Sequence, residues 1–322
     1  MATISRALDD GGWITLGRLE DTVVFGEGEP NETTLVAGSV NGFLARFAAD
    51  GTLQWVQHLL SEGGTVETFW ALEQDAGDSV LVGGKASRTV VFDPTGKPTE
   101  YDFGIDGRFV VRYGLDGAFR GVVLHSSEEE TNPIEYVYSL AVHPDGGFVV
   151  SGGYDGSSVL SHEEVPACPP SSTGCGFLSR FDADDQPLWV RTIESGSSDG
   201  LARVFVLPGG DVLLGGWVCS SVFPEASCEQ VVYGVGTPDA VMESTDNGLK
   251  TGFVSRWDGA NGDLQWVRQL HGDRSSVWGL AADGDDLYVC GTFDGEAVYG
   301  AGEPWAQTLS GDQDLYIMKI TD

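Results

Sequence analysis

The side chains that could do chemistry are unevenly supplied. The five histidines, His58, His125, His143, His162 and His271, are scattered. No Gly-x-Ser-x-Gly elbow and no His-x-x-x-His pair places a nucleophile or a metal beside any of them. Carboxylates are abundant: forty-nine Asp and Glu stand against seventeen Lys and Arg. A glycosidase needs two carboxyl groups flanking a bond, and among so many no spacing selects a pair. Acidic turns also suit calcium, which takes six to eight oxygen ligands. The turns are Asp182-Ala183-Asp184-Asp185, Asp283-Gly284-Asp285-Asp286 and Asp312-Gln313-Asp314, with Asp283, Asp285, Asp312 and Asp314 as candidate ligands. No twelve-residue loop ending in Glu accompanies them, and aspartate serves tight turns equally well. The expectation is no cofactor, calcium being the one metal these turns admit, and binding rather than catalysis.

The five cysteines point to a compartment. Cys168 and Cys175 bracket one short loop, Cys219 and Cys228 another. Both spacings predict disulfides, and with them an oxidising, secreted or cell-surface location. No cysteine–histidine spacing fits zinc. Cys290, in the run Leu287-Tyr288-Val289-Cys290, is expected to be a buried free thiol.

A net charge of −32 repels nucleic acid and anionic lipid. No apolar run reaches the roughly 18 residues that cross a bilayer. The opening Met1–Arg6 lacks the apolar region of a signal peptide and reads as a mature start. Neither nucleic acid nor membrane insertion is therefore expected.

The elements that must position these residues repeat. Phe43-Leu44-Ala45-Arg46-Phe47 recurs as Phe109–Tyr113, Phe177–Phe181, Phe253–Trp257 and Tyr316–Ile320. Before each copy lie an apolar run, a Gly/Asp-rich turn and a second strand closed by a glycine (Gly17, Gly84, Gly152, Gly216, Gly291). Then comes an excursion carrying a proline at one register: Pro30, Pro98, Pro166, Pro238 and Pro304. Proline bars a central strand, so each excursion is a loop or edge hairpin. After each of the first four copies a turn leads to a fourth strand, whose tryptophan is Trp55, Trp189 or Trp266, with Gly121 in its place in the second unit. A four-stranded antiparallel meander cannot bury both faces alone, and radial stacking of such units makes a propeller. The predicted fold is all-β: a five-bladed β-propeller of four-stranded antiparallel blades, the last lacking its outermost strand. It forms a single domain over 1–322, with blades at about 1–64, 65–135, 136–199, 200–276 and 277–322.

The segment Trp257-Asp258-Gly259-Ala260-Asn261-Gly262-Asp263-Leu264-Gln265-Trp266 resembles the tryptophan-docking motif of PQQ-type propellers. Whole units, such as Gly42 to Val56, resemble the β-propeller repeats of secreted and surface bacterial proteins (SBBP type). The likeness covers nearly the whole chain and implies a fold, with first strands lining a channel and tryptophan strands outermost. Trp55, Trp189 and Trp266 would then pack between blades. No ligand set for a quinone is present, so PQQ chemistry is not implied.

Arg46, Arg112, Arg180, Arg256 and Lys319 hold one equivalent site per unit. A ring of cations could bind an anion, but a blade-to-blade ion pair or a stem packed along a strand is the plainer reading. Trp70, Tyr138 and Trp278, on first strands, could stack a sugar; inner-strand packing is the alternative. Symmetry breaks at 126–135, 163–175 and 219–249, where function would concentrate. The sequon Asn31-Glu32-Thr33 is a weak signal. The strand Tyr316–Ile320 is expected to be an open edge, ready for a second copy or a cap.

The function these features support is an extracellular or surface binding scaffold, not an enzyme, for a glycan or a protein partner. Its rivals are a carbohydrate-active hydrolase with a channel-mouth carboxylate pair and a structural, self-assembling surface subunit.

Overall fold

The computed structural model describes residues 2–321 except 76, 95, 105–106, 127–133, 155–157, 161–162, 166–167, 169–174, 196–199, 220–227, 229, 246–248, 285 and 301–305. All regular structure among them is β. Two compact units emerge, residues 1–133 and 134–322.

In the first unit, repeat one supplies β1 (Ala2–Ala7), β2 (Trp13–Leu19), a hairpin of β3 (Thr22–Phe25) and β4 (Thr33–Val36), then β5 (Asn41–Phe47). The chain continues through β6 (Leu53–Gln74) into repeat two: β7 (Ser79–Phe92), β8 (Thr99–Asp102), β9 (Gly107–Gly114) and β10 (Phe119–Ser126). The order β1-β2-β5-β6 is an antiparallel meander, and β6-β7-β9-β10 repeats it. The fourth strand of one repeat and the first of the next are thus one strand rather than two. A register shift between Glu62 and Thr65 lets β6 bend from the first sheet into the second.

The second unit follows the same plan. Repeat three holds β11 (Ile134–Val142), β12 (Phe148–Tyr154), β13 (Ser158–Leu160), β14 (Glu163–Val165), β15 (Cys175–Phe181) and β16 (Pro187–Ser195). Repeat four holds β17 (Gly200–Val206), β18 (Val212–Val218), β19 (Gln230–Tyr233), β20 (Val241–Ser244) and β21 (Thr251–Trp257), and passes through β22 (Leu264–Asp283) into repeat five. There β23 (Asp286–Tyr299) and β24 (Gln307–Thr321) complete the chain. β22 turns at a register shift between Gly272 and Arg274. The sheet order β17-β18-β21-β22-β23-β24 leaves β24 at an edge.

Pro30, Pro98 and Pro238 sit where expected, between the strands of excursion hairpins, while Pro166 and Pro304 lie outside the described residues. These hairpins also tie repeats together. The tail of one fourth strand pairs with the excursion of the next repeat: Leu60–Glu62 with Thr89–Val91, Ile193–Ser195 with Val231–Tyr233, and Leu270–Gly272 with Ala297–Tyr299.

Within each unit the sheets stack face on face. Ile14, Leu16 and Leu44 of repeat one share a core with Val66, Phe69, Val80, Val82 and Phe109 of repeat two. Leu178 and Ile193 of repeat three meet Leu201, Leu214, Phe253 and Trp257 of repeat four. Leu213 and Val254 of repeat four meet Val277, Leu287, Val289, Tyr316 and Ile320 of repeat five. Alternation decides the sides: Phe253 and Trp257 face back, Val254 faces forward, as a period of two requires. Burying such large apolar side chains contributes about 2–3 kcal/mol each.

Alternation also corrects one expectation. Cys290 is a free thiol, but an exposed one. Leu287 and Val289 point into the core, which turns Tyr288 and Cys290 to the other face of β23. The expected disulfides, Cys168–Cys175 and Cys219–Cys228, are both formed.

Candidate functional site

The third-strand cations are explained first. Arg46 pairs with Asp10, Arg112 with Asp75, Arg180 with Asp145, Arg256 with Asp211 at 2.8 Å, and Lys319 with Asp286 at 2.5 Å. In every repeat the partner is the aspartate of the turn between first and second strands of that same repeat, not of a neighbouring blade. Strands two and three are adjacent, so their ends bring turn and guanidinium together. Arg180 is fully buried, and Asp145 answers it. Burial alone would raise the Asp145 pKa, but the Gly147 N–H, Arg180 and His143 outweigh it and hold the carboxyl at about 2.

The fourth-strand tryptophans dock onto the following repeat. Trp55 donates its indole N–H to Leu115 O at 2.8 Å, and Trp189 donates to Gly259 O at 3.1 Å. Both acceptors lie in the turn between third and fourth strands of the next repeat. The rings rest on Gly117 and Gly262, both at positive φ, where a Cβ would come within 2.9 Å and 2.8 Å of the indoles. Two residues beyond each tryptophan a polar side chain grips the same turn. Gln57 donates to Gly117 O at 2.8 Å; Arg191 donates to Gly262 O at 2.9 Å and to Asn261 O at 2.5 Å.

Trp266, in repeat four, holds the same position facing repeat five. Its indole nitrogen is buried and has no hydrogen-bond partner. Arg268, two residues on, lies 4.8 Å above its ring. Beside them runs a cavity of about 460 Å³ lined by Arg268, Tyr299, Leu309, Met318 and Ile320 along β24. Leu315 and Ile317 are 81% and 82% exposed, and Ile317 also borders the cavity. Among the described residues the expected edge at Tyr316–Ile320 is present, and a cavity that the sequence did not disclose lies beside it.

The three first-strand aromatics differ from one another. Trp70, on β6, carries the Arg108 guanidinium 5.7 Å from its ring. Tyr138, on β11, packs on the cluster that includes Leu201 and Val204. Trp278, on β22, is half-exposed and meets Trp217 of β18 at 4.6 Å between centroids. The Lys250 ammonium sits 4.2 Å from the Trp217 ring and 5.5 Å from that of Trp278. Burial, then the charge of Arg274, lowers the Lys250 pKa. The Trp278 indole donates to Thr292 Oγ1 at 3.3 Å, and Thr292 bonds Ser276 at 2.6 Å. Next to this group a cavity of about 390 Å³ is lined by Lys250, Arg274, Ser276, Thr292, Asp294 and Gln313. Two cations beside a pair of tilted indole rings suit a carboxylate-bearing ligand. Trp217, Lys250 and Arg274 were not foreseen; the one signal was a lysine ending the long irregular excursion of repeat four.

The calcium candidates do not converge. Asp283 closes the β22–β23 turn opposite Asp286, whereas Asp314 pairs with Phe293, about 20 Å along β23 at roughly 3.3 Å per residue. Asp285 lies outside the described residues, as do 127–133, 169–174 and 220–227 within the three irregular loops. Among the described residues no three His, Cys, Asp or Glu side chains gather as a metal site. Asn31 of the sequon donates its amide to Leu53 O at 3.1 Å. Glu194, on β16, has its pKa raised by burial.

Comparison with known proteins adds a local match. The WD domain, G-beta repeat family matches residues 124–159, which take in β11 and β12 of repeat three. Four-stranded antiparallel meanders, stacked face to face and matching such a repeat, are of the propeller type. The match is to a single repeat of a β-propeller family and bears on repeat three alone. No curated protein matches the sequence. Among solved structures, BamB from Moraxella catarrhalis aligns over 90% of this chain and 94% of its own, at 10% identity and a TM-score of 0.25.

Proposed function

We propose that the five repeats form a five-bladed propeller that works outside the cell as a binding scaffold for polypeptide, without turnover. The observation that carries this reading is the open side of repeat five. β24 occupies the place of β5, β9, β15 and β21, yet among the described residues each of those is paired on both flanks and β24 on one. An unpaired edge of that length is a template for strand addition. The two disulfides support an oxidising location.

The test uses a bare strand. A peptide with the sequence of Asp263–Leu270, the fourth strand of repeat four, is titrated into the protein while amide exchange is followed. Slowed exchange confined to 315–320 supports the reading. Absence of binding, with exchange there unchanged, overturns it.

A second reading is favoured by one specific grouping, Lys250 between Trp217 and Trp278 with Arg274 nearby. It is a site for an acidic sugar. Saturable binding of a uronate oligosaccharide that is lost in Lys250→Ala would support it; equal binding by the variant would exclude it.

A further inference from the structure

We propose that Asp294 sets the specificity of the cavity beside Lys250, admitting a carboxylate ligand only when that ligand also brings hydroxyl donors. The class so selected is a hydroxylated sugar acid, and simple carboxylates are turned away. This rests on the reading of the cavity as an acidic-sugar site, and it names the residue that does the choosing.

The cavity carries both signs of charge. Lys250, just before β21, and Arg274, on β22, supply two cations, and Asp294, on β23, supplies a carboxylate. Burial, then the charge of Arg274, disfavours the charge on Lys250. An anion placed between the two cations relieves the second of these. Strand register fixes where the groups stand. Arg274 is directly opposite Asp294, and Ser276 is directly opposite Thr292. Opposed residues of an antiparallel pair share a face, as do residues two apart on one strand. The four side chains therefore form one polar patch, and the 2.6 Å bond between Ser276 and Thr292 joins its two strands.

The patch sorts ligands by group. Lys250 and Arg274 only donate, which suits a carboxylate. Asp294 as a carboxylate only accepts, so it answers O–H groups and repels a second anion. Trp278 donates its indole N–H to Thr292 Oγ1 at 3.3 Å, and one hydroxyl hydrogen lies in the Ser276–Thr292 bond. The other hydroxyl hydrogen of that pair can serve a ligand. Trp278, two residues beyond Ser276 and half-exposed, offers its ring to the C–H face of a sugar. A simple carboxylate would meet the cations and the indole but set an anion against Asp294 with no donor between them. A neutral sugar would satisfy Asp294 and leave the cations unanswered. A sugar acid meets all of them, and a site built to bond hydroxyls rejects the analogue that lacks them.

Three probes with six-membered rings separate the cases: glucuronate, cyclohexanecarboxylate and glucose. Dissociation constants are measured by NMR titration on the wild-type protein, Asp294→Ala, Asp294→Asn and Lys250→Ala. Wild-type protein is expected to bind glucuronate about tenfold tighter than cyclohexanecarboxylate, the factor that one hydrogen bond to a charged group gives. Glucose is expected to bind more weakly than glucuronate. Asp294→Ala is expected to weaken glucuronate about tenfold while strengthening cyclohexanecarboxylate. Asp294→Asn, which keeps the shape and a hydrogen-bonding oxygen, is expected to strengthen cyclohexanecarboxylate and to weaken glucuronate less than Asp294→Ala does. If Asp294→Ala shifts both acids in the same direction by the same factor, selection by Asp294 is overturned and the acidic-sugar reading stands. Equal wild-type affinities for the two acids, both lost in Lys250→Ala, overturn the selection and leave the Lys250 site standing. Tighter binding of free alanine than of glucuronate overturns it in favour of an ammonium as the group that Asp294 meets. No binding of glucuronate to the wild-type protein overturns the proposal and the acidic-sugar reading together.

Discussion

The indole of Trp189 donates to the carbonyl of Gly259 at 3.1 Å across 70 residues of chain. The contact joins the outermost strand of one repeat to the turn of the next, and Trp55 makes the same bond to Leu115 across 60 residues. Repeats one and two, and repeats three and four, are therefore locked by a directional hydrogen bond as well as by apolar stacking, and each lock needs a turn that leaves room for a ring.

That room is testable at Gly262, where φ is +76° and a Cβ would lie 2.8 Å from the Trp189 ring. Gly262→Ala is expected to cost about 2–3 kcal/mol, from backbone strain and the displaced indole together. Urea unfolding followed by tryptophan fluorescence measures it. A loss under about 0.5 kcal/mol would show that the ring does not depend on the close approach.

The two tryptophans should respond differently to one substitution. Trp189→Phe leaves Gly259 O without its donor and is expected to cost about 1–2 kcal/mol beyond the lost area. Trp266→Phe removes a donor that has no partner. Its cost is expected to be smaller by about that amount, read from paired denaturation curves.

Much of this was legible in the sequence, and the gaps have physical reasons. The tryptophans Trp55, Trp189 and Trp266 and the acidic turns could be read off directly, but the pairing aspartates Asp10, Asp75, Asp145, Asp211 and Asp286 stand at differing distances from the repeating glycine, so the sequence did not single them out. Joining Arg46 to Asp10 needs the pairing of strands two and three, which a linear pattern does not encode. Cys290 was misplaced because an unbroken apolar run hides which residues face the core; only the pairing of β23 resolves Leu287 and Val289 from Cys290. Trp217 and Lys250 lie in different segments that nothing but the folded excursion of repeat four brings together. The continuous strands β6 and β22 were hidden by glycines that signal a turn but form bulges, Gly63 and Gly64 in the first and Gly272 in the second.

Acid should act on the second unit through Asp145. Its carboxyl is lowered from 3.8 to about 2, so the folded state favours the charged form. The stabilisation is complete above the unfolded value and is lost as pH falls through about 4 toward about 2. Asp145→Asn is expected to flatten that limb of a stability–pH curve while lowering stability at neutral pH. An unchanged acid limb would contradict the pairing with Arg180 and His143.

The disulfides close short rings, with sequence separations of 7 and 9 residues. Chain-entropy arguments give each about 2–3 kcal/mol. Replacing Cys168 and Cys175 together with serine should lower the unfolding midpoint accordingly, as should the pair Cys219 and Cys228. Modification by a thiol reagent should fall on Cys290 alone in the oxidised protein, since its thiol is exposed.

Lysine titration offers an internal comparison, because the chain has only Lys85, Lys97, Lys250 and Lys319. Burial lowers Lys250, while the hydrogen bond that Lys319 donates to the Asp286 carboxylate raises Lys319. NMR titration of the reductively methylated protein should show Lys250 deprotonating before Lys319. The reverse order would mean that Lys250 does not sit between Trp217 and Trp278.

The most direct test of the open fifth repeat compares one strand position in two repeats. β21 and β24 are both third strands, but β21 is paired with β18 and β22 whereas β24 is paired with β23 alone. Residue-resolved amide exchange on the free protein is expected to show slow exchange throughout 252–256 and fast exchange at alternate residues of 316–320. Uniform protection across 316–320, equal to that of 252–256, would contradict the account, because it would mean that the edge is already covered.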